Sequence, residues 1–285
     1  MSPVRIVTDS SSDLTDEQVA KYGITVVPLT VRFGDEEFVD RRDLTPQTFW
    51  AKVAASATLP ETAAPSPGAF EAAFRQAADD GCEAVVCVNL SSKLSATYSV
   101  AVLAARAVAD VIDVRVIDSL SITSGLGSMA EAAAARAAAG ASVEEVAAVI
   151  AARIGKTKVI AAIDTLDNLK KGGRIGGAQA FLGSLLSIKP LIDVSSGIVV
   201  EAGKQRTRAK ALAALADIAK ADLAKYGSLT DLSLRHGDAT DVGVMVDLLG
   251  THFPRQSISI GQIGAIIGAH SGPRVMGLTY LVGSP

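Results

Sequence analysis

The sequence contains few of the side chains that build most metal and redox sites. Among its 285 residues are two cysteines and three histidines, and aromatic residues make up 4% of the chain. The spacing of Cys82 and Cys87 matches no common metal or redox motif, so we interpret both as core thiols in a reducing compartment. The H-E-x-x-H and G-x-S-x-G motifs are absent. The sequence therefore predicts neither a zinc site nor the serine nucleophile of an α/β-hydrolase.

Basic clusters with interleaved aromatic residues and long apolar runs are also missing, and the formal net charge is -3. A face that binds nucleic acid needs clustered lysine and arginine to displace counterions from phosphates, so we expect no nucleic-acid partner. The absence of a placed basic recognition helix argues against a transcriptional regulator. No run of roughly 18 or more apolar residues occurs, and the N-terminus lacks the apolar stretch of a signal peptide. We therefore expect a cytoplasmic protein without a membrane span.

Short apolar segments alternate with helical patterns in the first half of the chain, and 49% of all residues are apolar. The strand-like segments lie at residues 4–8, 84–89, 114–118 and 159–163. Helices between such strands predict a parallel sheet. Beyond residue 164 the pattern changes to a glycine-rich loop, a β-hairpin, and mixed helices and strands. We therefore predict an α/β fold in which an N-terminal parallel-sheet α/β domain, residues 1–160, packs against a C-terminal α+β domain, residues 161–285.

Hydroxyl-bearing side chains follow three of the predicted strands, at residues 9–12, 91–97 and 118–124. The carboxyl ends of parallel strands lie at one edge of a sheet, which is where ligands bind in such folds. Hydroxyls and helix N-terminal amides at that edge can bind an anion. The alternative interpretation is ordinary helix capping and turn formation. The local sequence leaves both interpretations open.

Two further segments carry side chains suited to a site. His270 lies among small residues in Gly-Ala-His-Ser-Gly-Pro, where a lone histidine is either a structural group or part of a site. Arg174 lies in Lys-Gly-Gly-Arg-Ile-Gly-Gly, which matches neither the P-loop nor the dinucleotide-binding motif. The glycines permit positive φ, so this arginine either points a fixed charge inward or is solvated. The basic stretch at 204–208 is typical of a solvated helix start.

Taken together, six blocks in this order resemble the DegV family over nearly the whole chain. They are Val-Thr-Asp-Ser-Ser-Ser-Asp-Leu (7–14), Thr-Ala-Ala-Pro-Ser-Pro (62–67), Ser-Ser-Lys-Leu-Ser-Ala-Thr-Tyr (91–98), Val-Ile-Asp-Ser (116–119), Lys-Gly-Gly-Arg-Ile (171–175) and Ala-His-Ser-Gly (269–272). Six ordered blocks are far more specific than any one of them. The resemblance implies a two-domain α/β protein with a lipid tunnel between or within its domains, similar to the lipid-carrying B subunit of bacterial fatty acid kinase.

The resemblance also implies roles for particular residues. Thr62 and Ser95 match the family positions that hold the carboxylate of a fatty acid. Arg174 and His270 match the positions that support the head-group region. Arg206 is the nearest match to a basic residue that contributes to kinase-subunit docking in some relatives. Some positions depart from the family pattern. Ala63 and Ala64 replace the serine and glutamine of the family's T-S-Q-P block, and Ala96 and Arg274 stand where glycine is common.

The function expected from this resemblance is binding without chemical change. The chain is expected to bind a long-chain fatty acid such as palmitate and to present its carboxylate to a fatty acid kinase for acyl-phosphate formation, as part of lipid transport or fatty acid metabolism. It is expected to be non-catalytic, to use no cofactor or metal, and to contact membrane surfaces at most transiently. The alternative is an enzyme that acts on a small phosphorylated metabolite at the hydroxyl-rich strand edge.

Overall fold

The fold consists of three sheets and ten α-helices within residues 3–183 and 188–283, which a computed structural model describes, except for the side chains of residues 180–183. The strands are β1 (Val4–Asp9), β2 (Thr25–Val27), β3 (Thr30–Phe33), β4 (Glu36–Val39), β5 (Glu61–Ala63), β6 (Ala84–Asn89), β7 (Asp113–Asp118), β8 (Thr157–Ala162), β9 (Lys189–Asp193), β10 (Val200–Gln205), β11 (Leu229–His236), β12 (Ser259–Gln262) and β13 (Met276–Val282). The helices are α1 (Asp16–Tyr22), α2 (Pro46–Ala55), α3 (Pro67–Asp79), α4 (Thr97–Ala107), α5 (Thr123–Ala138), α6 (Val143–Arg153), α7 (Asp167–Lys171), α8 (Arg208–Tyr226), α9 (Val242–Gly250) and α10 (Ala265–Ser271).

The N-terminal sheet is parallel throughout, as predicted, with the strand order β2-β1-β6-β7. Its central strand β6 is buried on both faces, which explains the continuous apolar run in the sequence. Val85 and Cys87 pack with residues of α3 and α4, whereas Val86 and Val88 pack with α5 and α6. Helices therefore cover both faces of the sheet. Both cysteines are buried, and they are not joined in a disulfide.

The second sheet has six strands in the order β10-β9-β8-β13-β11-β12, and only the β11–β12 pair is parallel. Helices α8 and α9 cover one face, while the other face meets the N-terminal half of the chain. This arrangement confirms the predicted C-terminal α+β domain. Strand β8, however, does not continue the parallel sheet, although the sequence pattern grouped it with those strands. It pairs antiparallel with β9 and β13, because the chain crosses to the second sheet after α6.

A small antiparallel sheet, β4-β3-β5, lies over the junction between the two halves. Phe33 of this sheet contacts Phe49 of α2, and Phe49 contacts Trp50 edge to face. All three rings belong to a core cluster that also contains residues of β8, β9 and α10. The two halves thus share a core. The domain boundary at residue 160 stays a prediction, and the pairing of β8 leads us to propose a boundary just before Thr157.

The predicted helix starts follow the expected local chemistry. Thr15 and Ser142 each form a capping box with the residue three positions later. Thr45 and Ser66 each accept a hydrogen bond from the backbone of the first turn, and a proline follows each of them as the first helical residue. The predicted hairpin in the second half is also present as the antiparallel pair β9–β10. Local capping thus fixes where several helices begin before any tertiary contact forms.

Candidate functional site

A partly open space of about 160 Å³, here called the apolar cavity, lies at the junction of the two halves. Both halves supply its walls, and most of the lining side chains are apolar. The lining residues are Leu29, Thr62, Ala63, Ala64, Leu90, Leu94, Ser95, Ala96, Ile122, Leu169, Arg174, Ile192, Val194, Val199, Ile266, Ile267, His270 and Ser271. Strand β5, the loop after β6, the loop after α7 and helix α10 bring the polar members of this set together.

Four of the residues predicted from the family pattern line this cavity. The Oγ1 atom of Thr62 lies 2.8 Å from Nε2 of His270, although the two residues are 208 positions apart in the chain. The guanidinium of Arg174 donates from Nε to the carbonyl oxygen of Leu94 at 3.0 Å, which anchors it beside Ser95. The structure therefore gathers a threonine, a serine, an arginine and a histidine at one apolar cavity. Their roles as ligands stay predictions.

Ser95 combines the two interpretations that the sequence left open. Its Oγ accepts a hydrogen bond from the backbone N–H of Thr97 at 3.2 Å and lies 2.9 Å from the Thr97 hydroxyl. Helix α4 otherwise lacks a side-chain cap, because Ala96 occupies its N-cap position. Ser95 thus stabilises the start of α4 and at the same time lines the cavity. Ala96 lines the cavity beside it, so the methyl group that departs from the family pattern faces the site.

His270 is neutral at physiological pH. Burial, together with the positive charge of Arg174, lowers the pKa of its imidazole to about 4. Its Nδ1 atom is buried without a hydrogen-bond partner. Buried N–H groups without a hydrogen-bond partner are rarer than buried acceptors without one. We therefore assign the ring proton to Nε2, which donates to Thr62. This tautomer leaves the hydroxyl hydrogen of Thr62 free to donate to a third group.

The packing around His270 depends on a glycine and an asparagine. A Cβ atom at Gly172 would overlap the His270 ring, so only glycine permits the ring to lie there. The side chain of Asn168 is buried and donates from Nδ2 to the carbonyl oxygen of Ala269 at 3.0 Å, which links α7 to α10. No pattern in the sequence indicated a role for Asn168. Its role arises from the approach of two helices about a hundred residues apart in the chain.

Most of the other hydroxyls at the strand edge have structural partners. The Ser91 Oγ donates to the carbonyl oxygen of Gly197 at 2.6 Å, and the Ser10 Oγ accepts from the backbone of Leu29 at 3.1 Å. Asp9 accepts hydrogen bonds from Ser11, Asn89 and Leu90, which ties the ends of β1 and β6 together. Of the three hydroxyl sets that follow the predicted strands, Ser95 alone supplies a hydroxyl to the lining of the apolar cavity. Capping and turn chemistry therefore explains most of these sets.

The remaining predicted positions lie outside the cavity. Arg206 is exposed between β10 and α8, and its role in partner docking stays a prediction. Nearby, Arg208 makes a two-pronged ion pair with Asp241. Arg274 has a φ of 60° and approaches Asp164 at 3.7 Å and Asp241 at 3.9 Å. Arg274 therefore belongs to this surface charge network and does not extend toward the cavity.

Within the described ranges, no helix is long and apolar enough to cross a membrane. The same part of the chain holds no group of three or more histidine, cysteine, aspartate or glutamate side chains that could bind a metal ion. The architecture defines an α/β protein with one parallel and one largely antiparallel sheet, and with a shared apolar cavity that carries polar side chains.

The chain belongs to the DegV family, a family of uncharacterised proteins whose sequence profile matches residues 3–282. A DegV domain-containing protein of Streptomyces coelicolor is 37% identical over 277 residues, covering 96% of this chain and 97% of that protein. A DegV family protein from Thermus thermophilus, described for its fatty acid binding, superposes with a TM-score of 0.89 at 32% identity and covers 98% of this chain and 99% of its own. A stearic acid-binding protein from Eubacterium ventriosum superposes with a TM-score of 0.88 at 25% identity, covering 98% of each chain.

Proposed function

We propose that this protein binds a long-chain fatty acid, with the carboxylate beside Thr62, Ser95, Arg174 and His270 and the acyl chain between the apolar walls. The observation that carries the proposal is the convergence of these four side chains on one apolar cavity. The hydroxyls of Thr62 and Ser95 donate hydrogen bonds, and Arg174 supplies the fixed positive charge that a carboxylate prefers. The fatty acids bound by structural relatives have the same division into a polar end and an apolar chain.

Affinity should come mainly from the acyl chain. Burying one methylene contributes about 0.8 kcal/mol, so ~15 methylenes contribute roughly 12 kcal/mol before the costs of binding. A hydrogen bond to a charged group contributes only about 1.5–3 kcal/mol. The polar residues therefore orient the ligand, and the apolar walls hold it.

The size of the cavity implies that its walls separate when the acyl chain enters. A cavity of roughly 150 Å³ lined by apolar side chains holds a ligand the size of benzene. The apolar cavity has about 160 Å³, which is too small for a chain of ~15 methylenes. Ile122 and Ile267 lie in opposite halves and both line the cavity, so their side chains are candidates for this movement.

We further propose that the protein presents the carboxylate to a kinase and has no catalytic role itself. The neutral His270 is bonded to Thr62, and the strand-edge hydroxyls are mostly bonded to backbone, which leaves no activated nucleophile among the four site residues. Acyl-phosphate formation then requires a partner that supplies the phosphoryl group. The exposed Arg206 is our candidate for contact with that partner. We also propose that the protein acts in the cytoplasm.

Organic extraction of the purified protein followed by mass spectrometry tests the binding proposal. We expect close to one fatty acid per chain. Ile267→Asp places a charge at the apolar wall and should remove the lipid, whereas the matched control Val244→Asp, at an exposed position of α9, should retain it. Repeated extracts without stoichiometric fatty acid would contradict the proposal.

A double variant tests the role of the two hydroxyls. Thr62→Ala with Ser95→Ala should weaken carboxylate capture and abolish acyl-phosphate formation in the presence of a fatty acid kinase. The control is Ser56→Ala with Thr58→Ala, which removes two exposed hydroxyls that lie 3.2 Å apart away from the cavity. Unchanged kinase-coupled turnover in the Thr62–Ser95 variant would rule out this role.

Charge reversal tests the docking role. Arg206→Glu should impair kinase coupling and leave the lipid content unchanged, while Arg255→Glu, at another exposed arginine, should change neither. Loss of both lipid and coupling in Arg206→Glu would indicate a folding defect and count against a docking surface.

A further inference from the structure

A second space of about 360 Å³, here called the serine cleft, lies at the same junction between α5 and the β11–β12 edge of the six-stranded sheet. Its lining is polar and rich in hydroxyls. The lining residues are Gln18, Tyr22, Ser124, Ser128, Glu131, Ala132, Ala135, Arg153, Asp231, Leu232, Ser233, Arg235, Ser257 and Ser259. None of these described residues lines the apolar cavity, so the two sites are separate.

Arg235, on β11, is the unusual residue of this cleft. It is only 4% exposed, yet its guanidinium makes no hydrogen bond and no ion pair within 4 Å to any residue in the described ranges, and its Nε is buried without a partner. Asp13 and Glu131 attract its charge from a greater distance. Burying a guanidinium is costly unless its donors are satisfied, so the unpaired donors of Arg235, with Nε fully buried among them, are suited to bind an acceptor in the cleft.

The position of this guanidinium is set by a glycine on the neighbouring strand. A Cβ atom at Gly261 of β12 would overlap Nη1 of Arg235, so the absence of a side chain lets the guanidinium lie against the backbone of β12. The fit between the guanidinium and the β12 backbone at Gly261 therefore holds the arginine at the cleft. An anchored, planar group with five N–H donors is suited to bind the oxygens of a phosphate or carboxylate.

A second orphaned donor lies on the same face of β11. Ser233 is two residues before Arg235, so both side chains project from one side of the strand. Ser233 is 5% exposed, and its Oγ has no hydrogen-bond partner among the residues that the structure describes. The other arginine of the cleft, Arg153, is already paired with Asp231 at 2.6 Å. Arg235 and Ser233 are thus two buried, unpaired donor groups at one cleft.

Glu131 determines which oxyanion fits. It is half buried, and its Oε1 accepts a hydrogen bond from Nε2 of Gln18 at 2.9 Å. A carboxylate on the wall of an anion site repels a fully ionised anion but can accept a hydrogen bond from an anion that carries its own O–H. Phosphate near neutral pH keeps such a hydrogen, whereas sulfate does not.

We propose that the serine cleft is a second binding site, for a phosphate group, with Arg235 and Ser233 as donors and Glu131 as acceptor of the phosphate O–H. The phosphate is either the free ion or part of a small phosphomonoester that binds as its singly protonated anion. The adjoining space of about 570 Å³ shares Arg235 and is also lined by Arg41. Arg41 is paired with Asp16, however, and the further carboxylates of Asp13 and Asp40 disfavour an anion there. We therefore place the phosphate on the side of Arg235 that faces the serine cleft.

Arginine side-chain resonances test the site directly. In a ¹⁵N-labelled protein, the Nε–H signal of Arg235 should shift saturably as inorganic phosphate replaces chloride at constant ionic strength. Arg235→Gln should lower the association constant by at least about tenfold, since a charge-assisted bond is lost. Gly261→Ala, which keeps the charge but displaces the guanidinium, should weaken binding similarly. Gly243→Ala, where a Cβ meets nothing within 4 Å, is the matched control.

Two comparisons identify the ligand more closely. Sulfate should bind more weakly than phosphate, and Glu131→Gln should remove that preference. Glycerol phosphate binding more tightly than inorganic phosphate would indicate a phosphomonoester, and the reverse order would indicate the free ion. No saturable shift at Arg235 with either probe, or equal affinity in Arg235→Gln, would overturn the proposal. Lipid content should be unchanged in these variants, so this outcome is independent of fatty acid binding.

Discussion

The apolar cavity and the serine cleft lie against the same face of one sheet but have opposite chemistry. Toward the β9 end of that face, Ile192 and Val194 line the apolar cavity. Toward the β12 end, Ser233 and Arg235 line the serine cleft. The start of α5 meets both, with Ile122 at the apolar cavity and Ser124 at the serine cleft. A single junction between two halves can therefore hold two unrelated ligands, because each strand contributes different side chains to the shared face.

Asp13 forms part of the division between these regions. Its carboxylate accepts a hydrogen bond from the Thr123 hydroxyl at 2.5 Å and from the backbone N–H of Gly264 at 2.9 Å. These two partners precede the residues of α5 and α10 that line the cavities. Asp13 itself has a φ of 51°, which a non-glycine residue rarely adopts. A buried carboxylate thus joins the two halves between an apolar and a polar site.

The largest effect should come from the aromatic core that packs against α10. Phe49 is fully buried against Trp50 and packs near Gly268 of α10. Phe49→Ala should cost about 3–5 kcal/mol of unfolding free energy and reduce fatty acid binding at the apolar cavity, because α10, which lines that cavity, loses its support. Urea denaturation measures the loss, with exposed Leu103→Ala as control. A cost below about 1 kcal/mol would show that α10 is held in another way.

A substitution with a smaller expected effect should change binding at the apolar cavity and leave the serine cleft unchanged. Gly172→Ala adds a Cβ that overlaps the His270 ring and should cost about 1–3 kcal/mol while displacing His270 from Thr62. Fatty acid content should fall, and the phosphate response of Arg235 should persist. Gly68→Ala, where a Cβ meets only Ser66 Oγ at 3.9 Å, serves as the comparison. Retention of lipid at the wild-type level would mean that His270 does not position the ligand.

The variant Asp13→Asn tests the role of this buried carboxylate through the pH dependence of the unfolding free energy. Burial raises the pKa of Asp13 to about 6, above the ordinary value of 3.8. Between these values the folded state holds a proton that the unfolded state has lost, so this group's stabilisation is complete below pH 4 and disappears as the pH rises through 6. Asparagine keeps both contacts, since the Thr123 hydroxyl can turn to accept.

As the pH rises through that window, ionisation of Asp13 should lower the stability of the wild type by up to about 1.4 kcal/mol per pH unit, and the variant should lack this decrease. Unfolding free energies measured from pH 4 to 7 provide the test. Two other buried groups act near this range: burial, together with the charge of Asp13, raises the pKa of Asp40 to about 6, and burial lowers that of His270 to about 4. The Asp40 contribution should also decrease in the variant, since the Asp13 charge is gone, whereas the His270 contribution is common to both proteins. Identical pH profiles for the wild type and the variant would refute this assignment to Asp13.

The smallest effect is expected at Arg274, outside both regions. Its ion pairs at 3.7 and 3.9 Å are long and half exposed, so they contribute at most about 0.5 kcal/mol. Arg274→Gly also relieves a positive φ that glycine adopts freely. The melting temperature and the lipid content should change little, as thermal denaturation and extraction would show. A large loss of lipid would instead connect this family departure with the binding site.

Local sequence predicted much of the fold because its signals act over a few residues. The capping boxes at Thr15 and Ser142 and the buried run of β6 appear where the pattern indicated. The same reasoning grouped β8 with the parallel strands, because strand-like residues do not specify which sheet the strand joins. Arg235 gave no signal, since an arginine followed by histidine resembles a solvated strand end until its neighbours are known.

The candidate site shows the same limit. Local chemistry could not distinguish Ser95 from the other hydroxyls, and the order of the family blocks singled it out with Thr62, Arg174 and His270. The sequence by itself determined the helix starts, the parallel sheet and the family, because these depend on spacing along the chain. Only the tertiary structure decided that Thr62 meets His270 and that Arg235 is buried without a partner, because such contacts join segments that the sequence places far apart.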